Sequence, residues 1–381
     1  MKARVTVLAL VIYSLSGFTS VFAANLQVPD FRLISRGFVE DGSFLLSTRA
    51  DASLLIEGGM KFGGELGFGF SQTGVEDTTE LPDSYDRDSV AGYIDRTLRF
   101  ESASVFIREL FGSPLDVTYF TGRIDRFASG RAFEDRFGTS PFATDFRGFR
   151  YFADGVLYDG LHRVNGTGLK LGTGSLAEWL YLAGYTYQNL NIDPGVYGSD
   201  LRALFNFDQI KLETFVGSSY PRGDYGAYRG GLMLFFDTGA GGEFFTQLGV
   251  PYWEPGSSDD FGIEDFYFRF EPRIRFENFS IILSLFWHPE YYLEQRTGER
   301  GAVDTNVKFL IGDPERSPVR AGLDNAALYR PSADEQLRVT VSPFVSVTTA
   351  GVVWDFTLQT QVYPFSIESA FEGFLGIETA F

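Results

Sequence analysis

Between residues 125 and 152 the bases Arg126, Arg131, Arg136, Arg147 and Arg150 stand among the acids Asp125, Glu134, Asp135 and Asp145, with phenylalanines interspersed. A segment whose charges alternate in sign at such short spacing cannot lie against lipid. Folded into the interior of a barrel, it would set opposite charges across an opening. That arrangement gives a transverse field and a size limit, which is how pores select solutes. Arg126, Arg131, Glu134, Asp135 and Arg136 are therefore the candidate constriction residues. The competing placement is an external loop packed on its neighbours.

A second constellation is Arg269, Glu271, Arg273 and Arg275, spaced by two. In a strand such residues share one face, about 6.5–7 Å apart along the chain. One glutamate cannot neutralise three arginines, so this stripe is expected to stay net positive and to favour anions. Acids on other strands, such as Glu213 and Asp355, are the groups that could cancel it.

Enzymatic chemistry lacks parts. The chain has two histidines, His162 and His288, and no cysteine. Neither histidine has a serine motif beside it, and each reads as a polar cap near a strand end. Without cysteine there is no disulfide scaffold, iron–sulfur site or thiol nucleophile. The stretch from Gly166 to Gly174 is glycine-rich but lacks the Gly-Lys-Ser/Thr ending of a phosphate loop, and no helix pattern follows it. Residues 72–95 carry seven acids, yet their spacing does not match a calcium loop. No metal and no cofactor is expected. A formal charge of -18 excludes ordinary nucleic-acid binding, because such a chain repels phosphates.

The elements that must position these residues are strands. Period-2 alternation recurs along the chain. Met60, Phe62, Leu66, Phe68 and Phe70 oppose Lys61, Glu65 and Ser71. Leu201, Ala203, Phe205 and Phe207 oppose Arg202, Asn206 and Asp208. Phe266, Phe268, Phe270 and Ile274 oppose the arginine stripe. Phe279, Ile281, Leu283, Leu285 and Trp287 oppose Ser280 and Ser284, and Val352, Trp354, Phe356 and Leu358 oppose Asp355, Thr357 and Gln359. These runs exceed the 5–6 residues usual in soluble strands and suit tilted membrane strands of about 9–11 residues. One face carries large apolar side chains, as lipid demands, and the other charges and glycine. A spanning sheet must close, because open edges in lipid leave backbone groups unpaired. The fold class is therefore all-β, a single antiparallel transmembrane β-barrel.

The N-terminus agrees with export. Lys2 and Arg4 precede an apolar run from Val5 to Leu15, and Val21-Phe22-Ala23 supplies a cleavage site before Ala24. Residues 1–23 read as a signal peptide and 24–381 as the barrel. The last strand alternates Phe371, Leu375, Ile377, Thr379 and Phe381 against Glu372, Phe374, Gly376, Glu378 and Ala380. Together with the signal peptide and the alternation, this ending resembles the terminal assembly signal of Gram-negative outer-membrane barrels, porins included. The resemblance implies a bacterial outer-membrane location, contact with outer-membrane lipid, and recognition of Phe381 by the barrel-assembly machinery. The Pro-Glu-Phe-Gly-Gly-Asp signature of general-porin constriction loops is missing from 125–152.

Eight short-turn candidates fall at Gly58-Gly59, Phe111 to Pro114, Thr173 to Ser175, Asp208-Gln209, Thr238 to Gly242, Glu277-Asn278, Gly298 to Gly301 and Thr348 to Gly351. With both chain ends on the turn side, eight turns imply 18 strands. Dropping the Gly298 turn gives 16, so the expectation is 16–18 strands, with 14 as the outer limit. The long loops are expected near 72–95, 125–152 and 313–335.

The function expected is passive diffusion of small hydrophilic solutes through a porin-like channel. Alternation turns Arg202, Lys211, Glu213, Arg229, Arg269, Glu271, Arg273, Arg275 and Arg338 inward as pore-lining candidates. A hydrophobic-compound transporter of the fatty-acid type is the alternative, supported by inward Phe215, Phe235, Phe286 and Phe344. A surface adhesin or structural barrel without a pore is another. A homotrimer is a candidate assembly, since trimers are frequent among porin-like barrels.

Overall fold

The structure, a computed structural model, describes residues 25–40, 43–59, 61–73, 98–146, 160–173, 177–192, 195–222, 224–256, 261–292, 295–296, 300–313, 317–331, 333, 336–366 and 370–379. Residues 1–24, where a signal peptide and its cleavage site are expected, residues 74–97, which take in most of the expected 72–95 loop, residues 147–159 with Arg147 and Arg150, and Phe381 lie outside them.

The first half of the chain supplies β1 (Asn25–Glu40), β2 (Ser43–Gly59), β3 (Phe62–Thr73), β4 (Leu98–Ile107) and β5 (Leu115–Phe127), then the short helix α1 (Arg131–Phe137) and β6 (His162–Thr173). It continues with β7 (Leu180–Asn189), β8 (Tyr197–Asn206), β9 (Ile210–Tyr220), β10 (Ala227–Asp237) and β11 (Gly242–Trp253). There follow β12 (Tyr267–Phe276), β13 (Phe279–Trp287), a two-residue-per-arm hairpin of β14 (Tyr291–Tyr292) and β15 (Gln295–Arg296), β16 (Val303–Ile311) and β17 (Val319–Tyr329). The last three are β18 (Leu337–Thr349), β19 (Val352–Tyr363) and β20 (Phe371–Thr379). Apart from the small hairpin, the strands form one antiparallel sheet of 18.

Every strand of that sheet pairs with its neighbour in sequence, and β13 pairs with β16 across the hairpin. The last ladder joins β20 to β1, from Phe31↔Thr379 to Phe38↔Glu372. The ladders thus return to their start, which leaves no row of unpaired backbone groups for lipid to meet.

The strand number stands at the top of the expected range, well above 14. Six of the eight expected turns lie where the glycine and Asn/Asp signals put them, and a further one, Thr173 to Ser175, falls between β6 and β7 mostly outside the described residues. The eighth does not. The chain between β13 and β16 holds, among its described residues, no strand pair that joins the main sheet. β16 and β17 follow one another instead, with Gly312 and Asp313 at one side of the connection, Ser317 and Pro318 at the other and 314–316 outside the described residues, and β17 runs through the stretch expected to be a 313–335 loop. Ala321, Leu323 and Ala327 continue a period-2 pattern that small side chains weaken.

The two faces differ as the alternation requires. Leu201, Val216, Phe356 and Leu358 are among the exposed outward side chains, a continuous apolar surface larger than soluble proteins tolerate. At the short-turn end aromatic rings stack from strand to strand: Trp179 on Phe205, Phe236 on Phe244 and Phe244 on Phe270, then Phe276 on Phe279 and Phe279 on Phe309. At the other end Tyr197, Tyr220, Tyr228 and Trp253 are exposed. Ten residues separate Tyr197 at the start of β8 from Phe207 just past its end, about 33 Å along the chain and roughly 25 Å along the axis at the usual tilt. That is the height of the apolar band between two aromatic girdles.

Candidate functional site

The ring of strands has an interior segment, residues 128–146, referred to below as the strap. It touches β5, β9, β11, β12, β13 and β16 through side chains that share one face of the sheet, so it lies inside the ring. Three features bring it there. Gly122 has φ of 91° and a bulge follows between Arg123 and Arg126, which turns the ends of β5 and β6 inward. Leu161 reaches across to β10 and β11, where a Cβ on Gly249 would lie 2.6 Å from Leu161 Cδ2. At Gly130 a Cβ would lie 1.9 Å from the Phe142 carbonyl oxygen, so only glycine lets the two legs of the strap meet.

Two buried carboxylates hold the strap ends. Glu213 on β9 accepts a bond from Ser129 N at 3.3 Å and pairs with Arg202 Nε at 2.8 Å. Gln247 Nε2 donates to Ala128 O at 2.5 Å, and Arg202 Nη2 donates to Arg126 O at 3.1 Å. At the far end Glu271 on β12 accepts from Thr144 Oγ1 at 2.8 Å, Asp145 N at 3.0 Å and Ser284 Oγ at 2.7 Å. It also pairs with Arg273 at 2.5 Å, and Arg273 donates in turn to Ala143 O. Between the ends the attachment is aromatic. Phe142 stacks on Phe235 with centroids 4.5 Å apart, Phe133 packs on Phe142, and Phe146 meets Phe286. These rings join Phe127, Phe215, Phe245 and Tyr267 in one buried cluster.

The strap is two-faced. Phe142, Thr144 and Phe146 are buried against the wall, while Pro141 and Ala143 are exposed and Asp145 partly so. On α1, Phe133 is buried and Arg131, Glu134, Asp135 and Arg136 are exposed. Arg136 stands over the Tyr181 ring at 4.6 Å and 3.9 Å from Asp116. Asp125 is tied to Lys170 at 2.5 Å and to Tyr185 at 3.0 Å. Partial enclosure within the ring raises the pKa of Asp135, against the pull of Arg131 and with Asp125 adding to the rise.

The candidate constriction residues therefore share the strap and its root. Arg126, Arg131, Arg123 and Arg163 lie within electrostatic reach of one another with Glu101 as their acid. Glu65 is reached by Glu57, Asp125, Asp135 and Lys170. Arg123 and Arg126 oppose Asn165 and Arg163 on the face of β6 that carries the exposed Leu169 and Leu171, so the Arg126 side chain lies on the outward face, whereas Glu57 and Glu65 face inward with Phe120.

The pore-lining candidates occupy the interior face, but most are covered. Arg202, Glu213, Arg229, Arg269, Glu271 and Arg273 are each no more than 4% exposed. Arg229 is bound by Asp200 at 2.7 Å, Ser219 at 2.8 Å and Tyr187 at 3.0 Å, and His162 contacts Tyr187 at 3.2 Å. Arg269 is enclosed by the Phe146, Tyr267 and Phe286 rings. Lys211 Nζ caps the β8–β9 turn through the carbonyls of Phe207 and Asp208. Arg338 is partly buried on β18, opposite Leu328.

The arginine stripe is met by carboxylates. Glu243 on β11 pairs with Arg275 at 3.1 Å and Arg273 at 3.5 Å, and Asp145 lies 3.9 Å from Arg273. Glu243 was legible as an inward residue from its alternation with Phe245 and Gln247. Asp145 comes from the strap, and no strand pattern places it. Among the described residues no group of three or more potential metal ligands occurs.

Comparison of whole structures places this architecture. The chain matches the crystal structure of Acinetobacter baumannii OccAB4 with a TM-score of 0.53 at 12% identity, over 93% of this chain and 97% of that one. It has the fold of outer-membrane porins. A BenF-like porin from Pseudomonas fluorescens agrees, with a TM-score of 0.52 at 12% identity over 96% of this chain and 100% of that one. No protein-family model and no curated protein matches the sequence.

Proposed function

We propose that the protein is a passive channel for small hydrophilic solutes in a bacterial outer membrane, with the strap as its constriction. The observation that carries the reading is the two-faced strap. One face is packed on the wall through Phe142, Thr144 and Phe146, and the other leaves Arg131, Glu134, Asp135 and Ala143 in contact with solvent inside the ring. A barrel filled only for structure would bury both faces. The charges exposed on α1, Arg131, Glu134, Asp135 and Arg136, face the same interior as Glu57 and Glu65 on the wall and supply a field in which polar solutes orient. The apolar girdles and the outward Leu, Val and Phe suit lipid on the outside. Signal-peptide cleavage before Ala24, recognition of Phe381 by the assembly machinery, and a homotrimer belong to the same proposal.

The alternative of hydrophobic-compound transport loses its support. Phe215, Phe235 and Phe286 are consumed in packing the strap, and Phe344 lies under Lys308 at 5.3 Å.

The test is reconstitution of the purified protein into planar bilayers. Stepwise, open conductance is expected. A folded protein, confirmed by its β circular dichroism, that inserts and never conducts would refute the channel reading.

A further inference from the structure

The strap does not narrow the ring evenly. Among the described residues it covers the interior faces of β7 to β13, reaches β5 and β16 at its edges through Arg136 and Asp145, and leaves the rest. The uncovered wall can be followed residue by residue, because directly opposed residues on paired strands share a face. Lys308 on β16 points to the interior, since it bonds Asp145 of the strap at 3.2 Å. Its partner on β17 is Asp324, whose partner on β18 is Ser342. Two residues on, Phe344 opposes Thr357 of β19, Thr357 opposes Phe374 of β20, and Phe374 opposes Arg36 of β1. Arg36 and Glu372 therefore face inward across the last ladder. They pair at 2.8 Å with 29% and 17% of their side chains still exposed.

Resting on the channel reading, we propose that the solute path runs only between the solvent-exposed face of the strap and the wall formed by β16 to β20 and β1 to β4, and that Arg36 and Glu372 are specificity-determining residues on it. Arg202, Arg229, Arg269 and Arg273 then take no part in ion choice, because protein rather than water lies over them, whereas Arg275, with 33% of its side chain exposed, is neutralised by Glu243 at 3.1 Å. The anion preference expected from the stripe at 269–275 loses its physical basis with them. A charge that borders the aqueous path acts on a passing ion across a narrow, weakly screened gap. Arg36 and Glu372 each offset the other's field there. Removing one uncovers the other, so the two neutralisations must push selectivity in opposite directions. A pair that only staples the seam between β1 and β20 would lose stability on mutation without moving selectivity in opposite senses.

The experiment measures reversal potentials in a salt gradient for the wild type, Arg36→Gln and Glu372→Gln. Arg36→Gln is expected to shift the reversal potential toward cation preference, and Glu372→Gln toward anion preference. Because the chain has no cysteine, single-cysteine variants test the path on folded protein. A cationic methanethiosulfonate is expected to reduce conductance through Ala143→Cys on the strap and Thr357→Cys on the open wall. It should leave Ala183→Cys, inward on β7 but only 4% exposed, unchanged. A silent wild type would overturn the channel reading and this inference with it. A conducting wild type with same-sign or absent shifts, or with block at Ala183→Cys, would overturn this inference alone.

Discussion

Glu271 holds the strap by bonds from Thr144, Asp145 N and Ser284 while compensating Arg273. The Glu271→Gln variant keeps the volume and removes the charge. Breaking one partner of a buried ion pair costs about 3–5 kcal/mol. Arg273 retains Glu243 at 3.5 Å and Asp145 at 3.9 Å, so the lower end, about 3 kcal/mol, is the better figure. Much of that loss falls on attachment of the strap rather than on the ladders, which stay paired. At about 1.4 kcal/mol per factor of ten, the detached population rises on the order of 100-fold. Trypsin reports it, because Arg131 and Arg136 sit on the exposed side of α1 but need an unfolded neighbourhood for cleavage. When reattachment is fast relative to cleavage, the nicking rate follows the detached population. The variant should be nicked at α1 on the order of 100 times faster than wild type, and its single-channel current should flicker to larger steps. Equal nicking rates together with a steady wild-type conductance would refute the anchoring role of Glu271.

Phe142→Ala removes the ring stacked on Phe235 and should cost about 3–5 kcal/mol of strap packing, read as larger and noisier conductance steps with the barrel's resistance to sodium dodecyl sulfate retained. Partial enclosure within the ring raises the pKa of Asp135 above its ordinary 3.8, so acidification should neutralise it before the other aspartates on the solute path and lower cation permeability. Asp135→Asn should abolish that early step, while the later titration of the other acids remains. Ala350, in the β18–β19 turn, has φ of 52°, a left-handed conformation that costs a non-glycine residue about 1–2 kcal/mol. Ala350→Gly should therefore raise the urea midpoint of unfolding, less the extra chain entropy that glycine loses.

The strands and the strap differ in how far the sequence reveals them, and the reason is physical. A strand between lipid and an interior must alternate, so β8, β12, β13 and β19 could be read from Phe205, Phe268, Leu283 and Phe356 alone. β17 is hard to read because Ala321, Ala326 and Ala327 blur the contrast between its faces, and the turn residue Gly301 lies in the β13–β16 connection rather than between two further strands of the sheet. The alternation puts Arg202, Glu213, Arg229, Arg269 and Arg273 on the same side of the sheet as the buried rings of the strap. What it cannot give is what lies over that side. Whether Arg273 meets water or protein depends on where Ala143, Thr144 and Asp145 come to rest, more than a hundred residues earlier in the chain. The decisive signals are local and weak when taken one at a time: Gly122 and a bulge to turn the hairpin inward, Gly130 to let the legs meet, and Phe133, Phe142 and Phe146 as apolar side chains in an otherwise charged segment. Those phenylalanines were visible, and an apolar residue in a charged loop needs a surface to cover. Inside a barrel that surface is the wall, and the charges it covers are removed from solvent. The same alternation that identifies an inward arginine therefore predicts its access to ions only where no such loop carries the rings to bury it.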